Sequence, residues 1–511
     1  MGRVLTNNIA LSVSIESSLG VPSTTWSTVE PNSFAALGAA ITTVARQPIS
    51  RTRQRRKGTT VDLDSTLEFE ADLTMEHFKL FIEAFMFARA ATTTSEAGTV
   101  DLSSAFNSLA VQDSSPGPEA FTHSAITAAI RQRVLIKTRG FTNAINNGLF
   151  EVTTGGTTTV TPVARAPGLI DETPTAAQNA KLEVAGVRGA SGDLSLTVSA
   201  GIGTLVSAAN FSNWALYGVK VGQMIHVGGL TAGRQFSAGA GKARVKAISG
   251  ATLTLDKLDS TLATDPGTGE TVDILFGQFI RNVAVGSTDY LERSFTFEVV
   301  YVNLQVPGPG DEYEYPTGNY SNVLSFNLPL TEKALMTFGF VGTDTPSPTT
   351  TRKTGASTPV GQNETAAFNT SADIARLRIT ELDETGITTC FKNLVLTLNN
   401  QVTAEKCLGT LGALFLNTGN FLVDVEAQLL FTDSRVASAV RDNRTVAMDF
   451  GLSNDDGAIY VDIPSVTLGG GNKEFPVNAS VLINTTVQAF EDPVLGYSIG
   501  VSTFPTVPST F

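Results

Sequence analysis

The sequence predicts a mainly β protein: two tandem β-sandwich or half-barrel units, each flanked by one helix, with a small β domain inserted into the first. Three observations carry that prediction. Thr, Ser and Val are abundant, with 46 glycines and 21 prolines to punctuate them, a composition of strands and turns. Two separate stretches alternate apolar and acidic residues with a period of two, and each leads into a short helical stripe. Glycine- and threonine-rich sequence between Ala90 and Tyr290 separates the first stripe from the strands that would complete its unit.

In the first stretch, residues 61–73, Leu67, Phe69, Ala71 and Leu73 alternate with Glu68, Glu70 and Asp72, the pattern of a strand with one buried face. Thr74 can cap a helix from Met75 to about Arg89, whose stripe is Phe78, Phe81, Ile82, Phe85 and Met86, with Glu76, Lys79 and Glu83 opposite. The middle region holds short strand-like pieces such as 134–137, 149–153 and 242–248, read as an inserted small barrel or sandwich over 91–288. Regular strands resume at 292–302, 321–328 and 334–341. Residues 346–372 lack any apolar period and read as a linker or extended arm. In 421–431, Val423, Val425, Ala427, Leu429 and Phe431 alternate with Asp424, Glu426 and Gln428. Asp433 would cap a short helix, 434–442, and strands follow at 445–452, 458–466, 481–490 and 497–503.

Set side by side, the two strand-rich regions read β-α-β-β-β twice, and Phe69-Glu70-Ala71-Asp72-Leu73 matches Val425-Glu426-Ala427-Gln428-Leu429 in pattern. This predicts a duplicated fold: residues 1–90 and 289–345 form the first unit and 373–511 the second.

The charge balance, 35 basic against 48 acidic residues, gives −13 and opposes general nucleic-acid binding, which depends on cations that neutralise phosphate. Six of the cations, Arg46, Arg51, Arg53, Arg55, Arg56 and Lys57, fall in one short run without aromatic residues, which argues against stacking on single strands. Cys390 and Cys407 give neither a disulfide framework nor metal spacing, and Cys407 reads as a small buried hydrophobe. No apolar run is long enough to span a membrane. His77, His123 and His226 pair with nothing at metal or triad spacing, and no phosphate-binding loop ends in Lys-Ser/Thr; Gly469–Gly471 reads as a flexible loop. The residues thus predict no catalytic centre, no metal and no cofactor. Scattered carboxylate pairs leave open a tail-spike carbohydrate enzyme, and a capsid or tail decoration protein is a further alternative.

Several stretches resemble the tail tube proteins of siphovirus-type bacteriophages, whose long tails do not contract. They are Arg46-Gln-Pro-Ile-Ser-Arg51-Thr-Arg53-Gln-Arg55-Arg56-Lys57-Gly58 ahead of the alternating strand, the Asn399-Asn400 end of a C-terminal strand, Phe431-Thr432-Asp433 before the short helix, Ile463-Pro464 before the glycine run, and Lys220-Val221-Gly222 through Gly277-Gln278-Phe279-Ile280-Arg281-Asn282 in the insert. Their order, over about 10–90 and 205–511, carries the likeness. The resemblance implies a structural virion protein that is made in the host cytoplasm and assembled into the tail. Copies would join their sheets into rings with a continuous inner barrel, as a homotrimer with pseudo-sixfold symmetry rather than a hexamer. The rings would stack into a tube for DNA ejection during host entry. The implied partners are other copies of the chain, the tape-measure protein, the tail terminator and tip proteins, and double-stranded DNA in transit, with no membrane.

Within that picture Glu68, Glu70, Asp72, Asp424 and Glu426 are candidates for the lumen, where like charge would keep DNA from adhering; three copies would carry 3 × −13 = −39. The same acids would also suit any solvated sheet face. The basic run is a candidate for contact with acidic loops of a neighbouring subunit such as Asp311 and Glu312. The N-terminal residues and 343–370 are candidate ring-to-ring segments that order on assembly.

Overall fold

A computed structural model describes residues 5–49, 51–90, 109–113, 117–123, 129–175, 178–302, 310–361, 365–381, 386–387, 390–432 and 434–508. Strands of the two units are numbered here in chain order: β1 (Ile9–Ser18), β2 (Ser33–Arg46), β3 (Arg56–Asp72), β4 (Ser294–Tyr301), β5 (Asn319–Pro329), β6 (Leu335–Gly342), β7 (Ile374–Glu381), β8 (Phe391–Asn399), β9 (Leu422–Leu430), β10 (Thr445–Asn454), β11 (Gly457–Glu474), β12 (Leu482–Ala489) and β13 (Gly500–Phe504). Helix α1 (Met75–Met86) follows β3, and α2 (Ser434–Arg441) follows β9.

The two halves repeat one strand order. In the first, β1 pairs with β4, β4 with β5, β5 with β6, β6 with β3 and β3 with β2, all antiparallel. In the second, the series is β7, β10, β11, β12, β9 and β8, again antiparallel throughout. Each helix therefore sits where its opening strand ends, with its apolar side on the sheets. Thr74 caps α1, its hydroxyl accepting the His77 amide at 3.2 Å. The helix stops at Met86, short of Arg89, because Phe87 adopts the left-handed conformation (φ 45°) that closes the last turn. Asp433, the expected cap of α2, lies outside the described residues.

Around α1 the core is aromatic. Phe81 meets Phe338 at 4.8 Å between ring centres, Phe85 meets Phe340 at 5.3 Å, and Phe69 lies between Phe81 and Phe297. The second unit fills the same space with Val425, Leu429, Val436, Met448, Ile463 and Ile483, and both sets belong to one continuous core.

The halves are fused by a ladder between β5 and β8, which pair from Val323↔Asn399 to Pro329↔Asn393. One antiparallel sheet of eight strands results, in the order β2, β3, β6, β5, β8, β9, β12, β11.

The insert, between α1 and β4, forms twelve strands in one hydrogen-bonded series around a separate core that includes Phe121, Phe150, Trp214, Ile225 and Phe276. Phe279–Arg281 then returns to the body of the protein by pairing with β13.

Three local expectations need correction. Gly469–Gly471 is strand rather than loop; it belongs to β11, with a bulge between Gly470 and Asn472 that the positive φ of Gly470 (76°) and Gly471 (83°) permits. The segment after β6 is packed rather than extended: the Val360 amide bonds to Trp26, Arg352 meets Glu298 at 2.6 Å, and Phe368 is buried beside Leu73. Much of the N-terminal segment is likewise already paired, as β1. The physical reason is shared: glycine and Thr/Pro-rich stretches carry no local period, and only their tertiary partners order them.

Candidate assembly face and edges

The eight-stranded sheet turns one face to the core and leaves the other open. Along β3 the open face presents Asp62, Asp64, Thr66, Glu68, Glu70 and Asp72; along β9 it presents Asp424, Glu426 and Gln428. Register explains why these acids coexist. Glu70 stands opposite Thr337 of β6 and Ser33 of β2, and Glu426 opposite Thr486 of β12 and Val395 of β8, so no carboxylate faces another across a ladder. Small or neutral side chains fill the strands between them, among them Thr337, Gly339, Ser325, Asn327, Thr397 and Asn399. A shallow hollow of 370 Å³ on the second half is lined by Asn393, Glu426, Gln428, Asn472, Asn484 and Thr486, which offer amides, a hydroxyl and one carboxylate.

All five acids singled out in the sequence, Glu68, Glu70, Asp72, Asp424 and Glu426, are thus brought onto one surface. Two lysines reach its margin. Lys406 spans Asp62 and Asp64 at 2.6 Å each, which holds the Asp62 carboxyl below its usual range, and Lys333 meets Asp72 at 2.7 Å.

The basic run occupies a different place. It forms the tip of the β2–β3 hairpin, whose ladder continues to Arg46↔Arg56; Arg46, Arg51, Arg53, Arg55, Arg56 and Lys57 are all exposed there. Asp311 precedes, and Glu312 opens, a short strand (Glu312–Glu314) that pairs with the end of β4. The equivalent connection in the second half, from β8 to β9, carries the hairpin Thr403–Glu405 with Phe415–Asn417 and its exposed Leu408, Leu411 and Phe415.

Two clusters of buried charge, not anticipated from the sequence, seat the insert. In the first, Glu76 and Lys79 of α1, expected on an outward face, are covered by the insert: Lys79 pairs with Glu183, Arg139 with Glu183 (2.8 Å) and Glu76 (3.3 Å), and Lys181 with Glu76. Burial pushes the Glu183 carboxyl up, but Lys79, Arg139 and Lys181 outweigh it and hold the group at about 2. In the second, Asp462 of β11 takes Lys257 at 2.6 Å and Arg244 at 3.1 Å, while Asp449 of β10 takes Arg376, Arg378 and Lys257. The signal that could have found the second cluster was an acid placed within each of two apolar runs, Met448-Asp449-Phe450 and Val461-Asp462-Ile463.

The histidines are structural in their surroundings. The His77 Nε2 accepts the Glu30 amide at 3.3 Å, His123 is buried, and burial pushes His226 down to about 4, with its Nδ1 2.9 Å from the Gly228 carbonyl. Among the described residues no group of His, Cys, Asp and Glu has the arrangement of a metal site. Cys407, expected to be buried, is exposed, as is Cys390.

Two matching half-sheets fused through a shared ladder, with the outer edge of β2 and of the end of β11 beyond Thr467 unpaired among the described strands, define a duplicated β building block. The chain belongs to the phage tail tube protein family, whose model matches residues 6–486, the first unit, the insert and most of the second unit. No individual curated protein matches it. Its role is accordingly structural, in the tail of the virion.

Proposed function

We propose that three copies of the chain close into a ring whose inner wall is the eight-stranded sheet, and that rings stack into the tube of a siphovirus-type tail. One observation carries the reading: the sheet spans both units, keeps a polar, acidic face open, and ends in two unpaired edges. Three copies of eight strands make a barrel of 24. At about 4.8 Å per strand this gives a circumference of roughly 115 Å and a backbone diameter of roughly 37 Å before tilt, wide enough for duplex DNA. With Glu68, Glu70, Asp72, Asp424 and Glu426 repeated around the wall, phosphates are repelled and DNA slides without adhering. In the assembled tail the bore holds the tape-measure protein until ejection, and terminator and tip proteins close its ends.

The exposed cations of the basic hairpin tip would meet acidic residues such as Asp311 and Glu312 on another copy. Electron microscopy of the purified chain tests the reading: threefold rings or tubes with an open bore support it, and isolated globules at high concentration reject it. A second measurement addresses the bore. Glu70→Lys combined with Glu426→Lys leaves tube assembly intact and makes the tubes retain duplex DNA in a salt-dependent way; equal DNA retention by both forms removes the bore from the argument.

A further inference from the structure

The chain contains one sheet-to-sheet joint of the kind the ring requires, and its geometry can be carried to the joint between copies. Resting on the ring reading above, we infer that residues 468–472 of β11 pair antiparallel with 33–37 of β2 in a second copy, with Gly469 opposite Ala36 and Asn472 opposite Ser33.

The two units correspond residue by residue. Glu70 of β3 corresponds to Glu426 of β9. Glu70 faces Thr337, which faces Ser325; Glu426 faces Thr486, which faces Gly469. Ser325 therefore corresponds to Gly469, and by the same steps Val323 corresponds to Thr467 and Asn327 to Asn472. On the other side, Glu70 and Glu68 face Ser33 and Ala36 of β2, while Glu426 and Asp424 face Val395 and Thr397 of β8. Inside the chain, Val323, Ser325 and Asn327 of β5 meet Asn399, Thr397 and Val395 of β8. Substituting each residue by its counterpart gives Gly469–Ala36 and Asn472–Ser33 between copies; Thr467, the counterpart of Val323, already takes Thr445 of β10 on this edge, so the new ladder starts just beyond it.

Two independent features agree with this register. β11 carries a bulge between Gly470 and Asn472, and β2 carries one between Phe34 and Ala36. In the derived pairing the two extra residues fall opposite each other, so the new ladder runs without a shift from Leu468 to Asn472. An error of one residue in either correspondence would have broken this match. The second feature is coverage. Phe34 and Leu37 of β2 point to the core yet stay partly exposed, whereas their counterparts Leu396 and Leu398, beneath the internal joint, are 0% exposed. A neighbour seated on β2 completes the cover that β5 already gives β8. The edge it must use is open: β10 pairs with β11 only as far as Thr467, and no described strand extends that edge to Glu474.

Oxidative cross-linking in a Cys390→Ser, Cys407→Ser background tests the register. Ser33→Cys with Asn472→Cys places two thiols on facing residues, within disulfide reach, while Ala36→Cys with Asn472→Cys displaces them along the strand by roughly 10 Å, beyond it. Ser325→Cys with Thr397→Cys is the internal control, closing within one chain. The expected result is a ladder at two and three chain masses for the first pair alone. Tubes that cross-link through the displaced pair instead would overturn the register and leave the ring standing; monomers from the unsubstituted chain would end both. Should cysteine variants fail to fold, a density map of the unsubstituted tube reads the same neighbours directly.

Discussion

Phe69, Phe81, Phe85, Phe297, Phe338 and Phe340 interlock between sheet and helix in the first unit, where the second has Val425, Val436, Met448, Phe450 and Ile483. The helices follow suit, twelve residues for α1 and eight for α2. The insert covers α1 through ion pairs from Glu76 and Lys79, whereas the described part of α2 buries only Val436 and Ala439. Strand order and register survive this divergence. What the repeat preserves is the alternation of faces and the ladder geometry, while side-chain volume is free to change wherever helix and sheet change together.

That contrast can be broken or sharpened, beginning with the insert. Asp462→Asn removes the anion that Lys257 and Arg244 share and leaves two buried cations underpaired; we expect a loss of about 3–5 kcal/mol in urea unfolding, and a loss near zero would show the insert to be loosely seated. Phe81→Ala opens a cavity in the aromatic core and should cost about 3–4 kcal/mol, against roughly 1–2 kcal/mol for Val436→Ala in α2. Equal losses would erase the distinction between the two cores.

The first seat also carries an acid response. Held at about 2 when folded against an ordinary 4.5, Glu183 binds fewer protons in the folded than in the unfolded chain between those values. Its contribution is therefore complete above about 4.5 and declines as pH falls toward 2. Glu183→Gln should flatten the acid limb of a stability–pH curve, and an unchanged limb would assign acid sensitivity elsewhere. The smallest effect is at the cap: Thr74→Ala should cost about 1 kcal/mol by thermal unfolding, and Thr74→Ser should restore most of it.

Local pattern made much of this legible. The acid–apolar alternation of β3 and β9 named both the strands and the face on which Glu68, Glu70, Asp72, Asp424 and Glu426 gather, and Thr74 announced α1. Long-range partners were not legible. Glu76 and Lys79 look like a solvated helix face because their spacing says nothing of Glu183, distant in sequence, that covers them. The β5–β8 ladder is invisible for the same reason: Val323–Pro329 alternates like any half-buried strand, and no local feature tells which strand will lie beside it. Glycines 469–471 misled because a bulge and a loop call for the same residue.

The β5–β8 ladder has a kinetic consequence for assembly. Because it lies within a single polypeptide, each newly folded chain already holds in register two of the six half-sheets that the proposed ring requires, at an effective concentration set by the tether rather than by the cell. Three of the six seams of that proposed ring then lie between chains, and bringing its parts together takes two encounters where six separate half-sheets would need five.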